Sequence, residues 1–445
     1  MIAPTMNPFA PDLLRRLARE HGTPLWVYDA DTIRARIAEL QRFPTIRYAQ
    51  KANANLHILR LMREQGVLVD AVSAGEIARA LAAGYDAADE HRPGIVFTAD
   101  VISPDALALV IQHRIPVNCG SVDMVRQVGQ ATNPARPSGV PGEGHRVWLR
   151  INPGFGHGHS AKTNTGGEQS KHGIWHADLP AALAAIREHG LRLQGIHMHI
   201  GSGVDYGHLS QVCDAMVELV AKVDVPMHAI SAGGGLSIPY RPGDARIDTA
   251  HYHALWEAAR ARIEAARGHP VQLELEPGRF LVAESGVLLA EVRATKWMGS
   301  RHFTLVDAGF NELVRPAMYG AHHEISVVAA EADPADAVDA VDAVDGTGSA
   351  GTATRPVQAT TVAGPLCESG DVFTQADGGV VLSRALPEAR IGDLLVFHDA
   401  GAYGASMSSN YNSRPLAAEV LVDGGTARVI RRRQTIEALL ALEQG

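Results

Sequence analysis

The sequence predicts an α/β protein: a (β/α)8 barrel plus a C-terminal all-β domain that includes the N-terminal strand. Short runs rich in β-branched residues alternate with amphipathic helical runs through the first two thirds of the chain. After about residue 285 the pattern changes to strand-like runs separated by turns. A chain of 445 residues is also too long for one ordinary core, so two domains are expected.

Eight strand candidates alternate with helical patterns in the predicted barrel. In the helix after the first strand, Ile58, Leu61 and Met62 fall on one face. Ser73 and Glu76 have the spacing of a capping box, which indicates the start of the next helix. Eight strand–helix units in roughly 250 residues favour a closed barrel, and a doubly wound open sheet is the alternative. The strand candidates are TIRYAQ, VLVDAVS, IVFTAD, IPVNCGS, RVWLRIN, LQGIHMHI, MHAISAG and VQLELE.

The last third of the chain predicts the all-β domain. Its strand candidates are GVLLAEVRAT, HFTLVDAG, PVQATTVAG, DLLVFHDAG and AAEVLVDGGTARVIRRR, the last with a hairpin turn at Gly424-Gly425. The N-terminal run PLWVYD is strand-like and is expected to join this domain. Residues 332–354 form a low-complexity triplet repeat, interpreted as a surface insertion for which no functional role is expected. The predicted bounds are 1–31 for the N-terminal segment, 32–284 for the barrel, 285–432 for the β domain and 433–445 for a C-terminal helix.

Composition excludes several classes of function. Hydrophobic residues make up 46% of the chain and charged residues 20%, the profile of a soluble globular protein. The net charge is −9 and no basic stripe stands out, so nucleic acid is not an expected partner. We expect no secretory signal and no membrane span, because no basic start leads into an apolar run and no apolar stretch is long enough. Three cysteines do not make a disulfide framework, which favours the cytoplasm.

Polar and glycine residues gather at the predicted C-terminal ends of the barrel strands, where active sites form in such barrels. The bodies of the strands, in contrast, are apolar. The sequence therefore predicts a functional site at this rim. The residues concerned are Lys51, Asp70, Ser73, Arg150, Asn152, His197, His199, Gly233, Gly234, Gly235, Glu276, Gly278 and Arg279.

Each of these residues also has a simpler interpretation. A lone lysine after a strand is usually a solvated surface residue, but a lysine amine in a partly dry site can lose its proton and form an imine. The three glycines from Gly233 to Gly235 fit a loose turn, or a loop that brings backbone N–H groups to a phosphate. Glu276 fits a surface ion pair with Arg279, or a buried carboxylate facing a ring nitrogen.

Two histidine pairs keep a metal site open as an alternative. Strand periodicity places His197 and His199 on one face, and a His-x-His pair at a barrel rim is a plausible metal site. His157 and His159 form a second such pair. A metal-dependent hydrolase therefore stands beside the lysine-based interpretation.

Six segments taken together resemble the motif set of the fold-type III pyridoxal-phosphate decarboxylases. They are YAQKANAN, HMHIGSG, SAGGGLSIPY, ELEPGRF, PLCESGD and DAGAYGASMSSNYNSRP, in the same order and through nearly the whole chain. Within this family, the chain more specifically resembles the members that convert meso-2,6-diaminopimelate to L-lysine and carbon dioxide. This reaction is the last step of lysine biosynthesis by the diaminopimelate route. It implies a carboxy-lyase with pyridoxal 5′-phosphate as cofactor and no metal. The alternatives are decarboxylation of ornithine, arginine or a carboxylated polyamine, and a binding protein that has lost its chemistry.

The resemblance also implies which residues hold the cofactor. Lys51 would bind it as a Schiff base, His199 would stack on its ring, and Glu276 would pair with the pyridine nitrogen. These three count, with Cys367, as the catalytic residues. The phosphate would be held by Ser202, Gly234, Gly235, Tyr403 and the Gly278 backbone.

The substrate, by the same resemblance, is a small amino acid bound at its non-reacting end by residues largely outside the barrel. Glu368 would meet the ammonium there, and Cys367 would be a proton donor delivered from the partner subunit. The resemblance therefore implies a homodimer with shared active sites. The carboxylate at that end would be bound by Arg279, Arg315 and Tyr319, with Tyr403 also close to the substrate.

Overall fold

The chain divides into two structural units. One contains residues 34–238 and 245–281, and the other contains residues 1–33, 239–244 and 282–445, in each case as far as they are described. The predicted insertion at 332–354 lies outside the described residues. The computed structural model describes residues 8–87, 89, 92–132, 144–156, 166–199, 205–330 and 355–444.

The first unit is a closed barrel of eight parallel strands. α1 (Pro11–His21) and β1 (Leu25–Asp29) precede it in the chain. The strand order is β5-β4-β3-β2-β10-β9-β8-β6, and pairing of β5 with β6 closes the barrel. The barrel strands are β2 (Thr45–Ala49), β3 (Leu68–Ala71), β4 (Ile95–Ala99), β5 (Val117–Cys119), β6 (Arg146–Asn152), β8 (Arg192–His197), β9 (Ala229–Ser231) and β10 (Gln272–Leu275); the two-residue β7 (Ile174–Trp175) pairs with β6 alone.

A helix follows each barrel strand. In the helix after β2, the predicted face of Ile58, Leu61 and Met62 is buried. Ser73 caps the next helix through its hydroxyl, which accepts from Glu76 N at 3.2 Å, while the Glu76 carboxylate accepts from Val72 N. α2 (Ala30–Ala38) precedes β2, and the helices after the strands are α3 (Leu56–Glu64), α4 (Ala74–Ala82), α5 (Pro104–His113), α6 (Val122–Thr132), α7 (Leu179–Glu188), α8 (Tyr206–Val220), α9 (Thr249–Arg267) and α10 (Arg279–Val282).

The second unit is built on mixed β-sheet. β1 lies antiparallel to β11 and parallel to β17, so the N-terminal strand joins the C-terminal domain as predicted. Gly424 and Gly425 turn the hairpin between β17 and β18 with positive φ angles of 54° and 78°. The remaining elements are β11 (Gly286–Met298), β12 (Arg301–Val306), α11 (Arg315–Tyr319), β13 (Ile325–Val328), β14 (Val357–Ala363), β15 (Arg384–Pro387), β16 (Leu394–Phe397), β17 (Ala418–Asp423), β18 (Thr426–Arg431) and α12 (Ile436–Leu440).

An apolar core holds the second unit together. Leu25 and Val27 of β1 are fully buried and pack with Leu289 and Val396 of the neighbouring strands and with Leu17 of α1. A closed parallel barrel and a separate unit of mixed β-sheet confirm the predicted fold class. In the part of the chain that is described, none of the helices is long and apolar enough to cross a membrane.

Candidate active site

The predicted rim residues do gather at the C-terminal ends of the barrel strands. Lys51 is exposed on a short 3-10 turn, Gln50–Ala52, directly after β2. Glu276 follows β10, which pairs with β2, and His199 follows β8. The glycine run begins two residues after β9, which lies between β8 and β10. Strands that are neighbours in the barrel therefore carry the amine, the carboxylate, the imidazole and the glycines.

Glu276 is fixed by His197, a residue whose His-x-His pattern in the sequence indicated only a metal ligand. His197 Nε2 donates to Glu276 Oε2 at 2.7 Å, and both side chains are buried. Ser231 Oγ lies 3.5 Å from the other carboxylate oxygen. The one-face placement of His197 and His199 suggested a shared role, but the two rings have different partners.

The surroundings at the rim shift the pKa values of two buried carboxyl groups in opposite directions. Burial tends to raise the pKa of Glu276, but pairing with His197 and the charge of Arg150 outweigh burial and hold this pKa below its ordinary value. Burial, followed by repulsion from Glu276, raises the pKa of Asp70 well above its ordinary value. The surroundings of Glu276 therefore favour its charged form, whereas those of Asp70, near the end of β3, favour the protonated form.

His199 is held as a neutral ring. Gly234 N donates to His199 Nδ1 at 2.9 Å, so this nitrogen carries a lone pair and not a proton. Burial, with the charges of Arg150 and Lys51 adding to it, lowers the pKa of His199 well below its ordinary value. A neutral imidazole is thus fixed next to the glycine run.

The glycine run has no room for side chains. A Cβ on Gly234 would lie 2.5 Å from the Glu276 carbonyl oxygen and 3.0 Å from His199 Cε1. Gly233 has a φ of 62°, and a Cβ there would lie 2.3 Å from the Met198 carbonyl oxygen. The backbone of this loop therefore lies close against both β8 and β10, with Gly235 continuing it.

A second pair at the rim was not predicted from the sequence. His172 Nδ1 is hydrogen-bonded to Asp100 Oδ2, and Gly173 N donates to Asp100 Oδ1 at 3.0 Å. The charge of Arg150 also acts on Asp100. Asp100 directly follows β4, so its position at a strand end was the feature that pointed to it.

Arg315 is the predicted site residue most tightly held in the second unit. It begins α11, and only 5% of its surface is exposed. Its Nη1 donates to His323 Nε2 at 2.9 Å, and its guanidinium carbon lies 4.8 Å from the centre of the Tyr240 ring. Tyr319 is half-buried at the other end of the same short helix.

The loop that carries Cys367 and Glu368 is anchored at its base. Both residues are exposed. The Asp371 carboxylate accepts from Leu366 N at 2.8 Å and from Phe310 N at 2.7 Å, which joins this loop to the one before α11. The Asn412 side chain accepts from Cys367 N at 2.9 Å, so the loop after β16 is tied to it as well.

The remaining predicted residues are also located. Tyr403 is half-buried on the loop after β16 and has a positive φ of 57°. Arg279 begins α10 and is half-buried, and Gly278 lies one residue earlier, close to Ala49 of β2. Ser202 lies outside the described residues. The predicted residues thus form one group at the barrel rim and one group on connected loops of the second unit.

The described histidines do not form a metal site. His197 and His199 are engaged with Glu276 and Gly234, as given above. Within the ranges that the structure describes, we find no group of three or more His, Cys, Asp and Glu side chains arranged to hold a metal ion. His157 and His159 fall outside those ranges.

Glu312, on the loop before α11, gives a test of this region by pH. It accepts from Gly309 N at 2.8 Å and from Asn311 Nδ2 at 2.6 Å, and burial raises its pKa to about 7. A raised pKa means that folding takes up a proton, so the contribution of Glu312 to stability is lost as pH rises from its unfolded value of about 4.3 towards 7. The free energy of unfolding of the wild type should therefore fall as the pH rises between these values. We expect this fall to be smaller in Glu312→Gln, by up to roughly 3 kcal/mol.

Thermal unfolding near pH 5 and near pH 8 measures this difference. Glu443→Gln removes an exposed carboxylate of the same unit and is the matched control. Equal pH dependence in the wild type and both variants would contradict the prediction.

The model of one protein family matches the barrel. It is described as the pyridoxal binding domain of pyridoxal-dependent decarboxylases, and it matches residues 30–283. This range is more than half of the chain and contains Lys51, His199 and Glu276. The chain belongs to the pyridoxal-dependent decarboxylase family.

Named relatives of this family match almost the full length of the chain. Diaminopimelate decarboxylase of Escherichia coli K12 is 62% identical over 97% of this chain and 96% of its own length. The Streptomyces coelicolor enzyme of the same name is 60% identical over 97% of this chain and 91% of its own. These similarities confirm the predicted resemblance, and the chain is accordingly an enzyme, a carboxy-lyase.

Solved structures agree with this membership. A crystal structure of a diaminopimelate decarboxylase is similar with a TM-score of 0.89 and 60% identity, over 99% of this chain and 98% of that one. The Helicobacter pylori diaminopimelate decarboxylase, complexed with L-lysine, has a TM-score of 0.78 and 29% identity, over 97% and 99% of the two chains. The architecture of both units is therefore that of the family.

The rim residues fit pyridoxal 5′-phosphate, which is the cofactor of this family. Glu276 offers a buried negative charge, the charge that favours a protonated ring nitrogen. Gly234 lies where a Cβ would be blocked, so the loop can bring bare backbone to a phosphate. Lys51 supplies the only kind of side chain among these groups that can form an imine with an aldehyde.

We expect Gly234→Ala to weaken cofactor binding by roughly tenfold or more, because overpacking would displace the loop from Glu276 and His199. Titration of the cofactor-free protein with pyridoxal phosphate, followed by absorbance, measures the change. Gly75→Ala is the control, since a Cβ there meets nothing closer than 3.8 Å. Equal affinity of both variants and the wild type would argue against a close approach of this loop to the cofactor.

Proposed function

We propose that this enzyme removes one carboxylate from meso-2,6-diaminopimelate and releases L-lysine and carbon dioxide. The observation that carries the proposal is the 62% identity, over 97% of the chain, to a relative named diaminopimelate decarboxylase. The Helicobacter pylori relative is described as a complex with L-lysine, which fits a product of this reaction.

The barrel residues prepare the reacting end of the substrate. When bound, pyridoxal phosphate accepts the electron pair left on Cα as carbon dioxide departs. The Lys51 amine would attach the cofactor, and the negative Glu276 carboxylate, held by His197, would favour a protonated pyridine nitrogen. His199, fixed as a neutral ring by Gly234, would stack on the cofactor.

Backbone N–H groups and two hydroxyls hold the cofactor phosphate in this proposal. Bare glycine backbone can approach an anion more closely than a residue with a side chain can. Tyr403 and Ser202 add hydroxyl groups. The backbone donors belong to Gly234, Gly235 and Gly278.

The second unit selects the substrate by its distal end. Because the product is L-lysine, the carboxylate that remains is the one on the L-centre of meso-diaminopimelate. In this proposal, as the family resemblance implies, Arg279, Arg315 and Tyr319 bind that carboxylate, and Glu368 pairs with the distal ammonium. Ornithine and arginine lack this carboxylate and so cannot use an arginine held for it.

We also propose a homodimer in which Cys367 of one subunit serves as proton donor in the site of the other. Its support is the exposure of Cys367 on a loop whose base is anchored by Asp371 and Asn412. Mixing inactive Lys51→Ala and Cys367→Ala chains, with subunit exchange, is expected to restore about a quarter of wild-type activity, because half of the dimers then contain one intact site. No recovery after verified exchange would exclude shared sites.

A cytoplasmic location is part of the same proposal. The cysteines Cys119, Cys213 and Cys367 are all free, which suits a reducing compartment. Fractionation of the producing cells, followed by the decarboxylase assay on each fraction, tests it.

The assay that tests the function measures L-lysine and carbon dioxide formed from meso-diaminopimelate by the purified protein with added pyridoxal phosphate. We expect turnover of this substrate to exceed that of ornithine and arginine by at least about a hundredfold in kcat/KM. Faster turnover of ornithine, arginine or a carboxylated polyamine would replace the proposed substrate. No turnover of any of them would overturn the proposal.

A further inference from the structure

Arg315 is held by two residues to which the proposed function gives no role. His323 Nε2 accepts from Arg315 Nη1 at 2.9 Å, and the Tyr240 ring lies under the guanidinium at 4.8 Å. The rings of Tyr240 and His323 also meet edge to face, 5.6 Å apart with 75° between their planes. The three side chains form a closed set in which each contacts the other two.

The hydrogen bonds determine the protonation of His323. An arginine can only donate, so His323 Nε2 must carry a lone pair. His323 Nδ1 lies 2.8 Å from the carbonyl oxygen of His398, which can only accept, so Nδ1 must carry the proton. Both neighbours therefore require the neutral form with hydrogen on Nδ1.

The environment of His323 agrees with this assignment. The residue is 2% exposed. Burial, and after it the charge of Arg315, lowers the pKa of His323 well below its ordinary value. Arg384 donates to the His323 carbonyl oxygen and lies 3.1 Å from His322 Nδ1, so the backbone at 322–323 is fixed from a further side.

A ring against one face and a hydrogen bond at one nitrogen of a guanidinium affect how the group binds a ligand. A free arginine side chain loses substantial rotamer entropy when it binds a carboxylate. Here the cation–π contact sets the plane of the group, and the bond to His323 sets its rotation in that plane. The guanidinium is thereby oriented before a substrate arrives, which lowers the cost of binding.

We propose that His323 and Tyr240 are positioning residues that orient Arg315 and so determine the affinity for the carboxylate on the non-reacting end of the substrate. This inference rests on the proposed function, in which Arg315 binds that carboxylate. It assigns to His323 and Tyr240 a selective role: they act on ligands that carry the distal carboxylate and leave others unaffected.

Two substitutions of His323 separate its two hydrogen bonds. His323→Gln can place an oxygen near the position of Nε2 and keep an acceptor for Arg315. His323→Asn can place an N–H near the position of Nδ1, which keeps the bond to the His398 carbonyl but removes the acceptor. His302→Asn is the matched control, because His302 is a buried histidine of the same unit that pairs with Thr360.

Two competitive inhibitors isolate the distal carboxylate. L-Lysine is meso-diaminopimelate without the carboxylate at the reacting end, and D-lysine is the same molecule without the distal one. We expect His323→Asn to raise the inhibition constant of L-lysine and the KM for meso-diaminopimelate by about tenfold or more. The inhibition constant of D-lysine should change less than about twofold, and His323→Gln should recover much of the affinity.

Tyr240 provides a second and independent variant, since it is only half-buried. Tyr240→Leu should raise the inhibition constant of L-lysine by a few-fold and leave that of D-lysine nearly unchanged. Tyr240→Phe, which retains the ring, should change neither. Melting temperatures of all variants identify any loss of folding. If His323→Asn does not fold, the Tyr240 pair decides the outcome.

Three outcomes are distinct. Weaker binding of L-lysine alone supports the inference. The inference is overturned, and the proposed function stands, if the wild type turns over meso-diaminopimelate and the variants bind L-lysine and D-lysine equally more weakly or show no change in the binding of either. Absence of turnover in the wild type overturns the proposed function and this inference with it.

Discussion

Replacing Lys51 by alanine is expected to abolish lysine formation from meso-diaminopimelate, by roughly a thousandfold or more, without unfolding the chain. Lys51 is exposed on the turn after β2, so loss of its side chain leaves no cavity in the barrel. The charge of Lys51 acts to lower the pKa values of both Asp70 and Glu76, so the amine lies near the carboxyl groups of the rim. The defect should therefore lie in the chemistry and not in the fold.

Spectroscopy and labelling test Lys51 without relying on turnover. The wild type loaded with pyridoxal phosphate should absorb visible light, and borohydride reduction should leave the added mass on the peptide that contains Lys51. Lys51→Ala should show neither, while its melting temperature stays close to that of the wild type.

Lys222→Ala is the control for this experiment, because it removes another exposed lysine of the same unit. It should keep wild-type turnover and labelling. Wild-type turnover by Lys51→Ala, or a reduced label on another lysine, would remove Lys51 from its proposed role.

The barrel could be predicted because its strands are strongly periodic and regularly spaced. Two strands of the second unit could not. β13, Ile325–Val328, follows a run of polar residues, and β15, Arg384–Pro387, ends in a proline, which is uncommon in a strand. Both are strands because β16 and β14 offer them backbone partners, and a partner distant in sequence leaves no local pattern.

In the site, too, features with a local sequence pattern could be predicted, and contacts between distant parts of the chain could not. The positions of Lys51 and Glu276 at the rim were predictable, since each follows a recognisable strand and the carboxyl ends of barrel strands meet at one rim. The partners that orient the site residues were not. Tyr240 and His323 meet around Arg315 from separate parts of the chain, and neither has a neighbouring residue that indicates the contact.

Removing Glu274 is expected to have the largest effect on stability among the substitutions considered, about 3–5 kcal/mol for Glu274→Leu. Glu274 lies on β10 and forms two bonds with Arg47 of the adjacent β2, at 2.6 Å to Nε and 3.1 Å to Nη2. Arg47 Nη1 also donates to the Pro93 carbonyl oxygen at 2.7 Å. Arg47 is 1% exposed and Glu274 is 5% exposed, so the substitution would leave a guanidinium charge buried without its carboxylate.

Two comparisons distinguish an uncompensated charge from a general packing defect. The double variant Arg47→Met with Glu274→Leu removes both charges and should recover most of the lost stability, because burial of an ion pair costs about as much as its attraction returns. Asp224→Ala breaks the exposed pair with Arg187 and should cost less than about 1 kcal/mol. Urea unfolding of the four proteins measures these differences. A double variant as unstable as Glu274→Leu would mean that side-chain shape, and not charge, makes this position critical to the barrel that holds Lys51 and Glu276 in place.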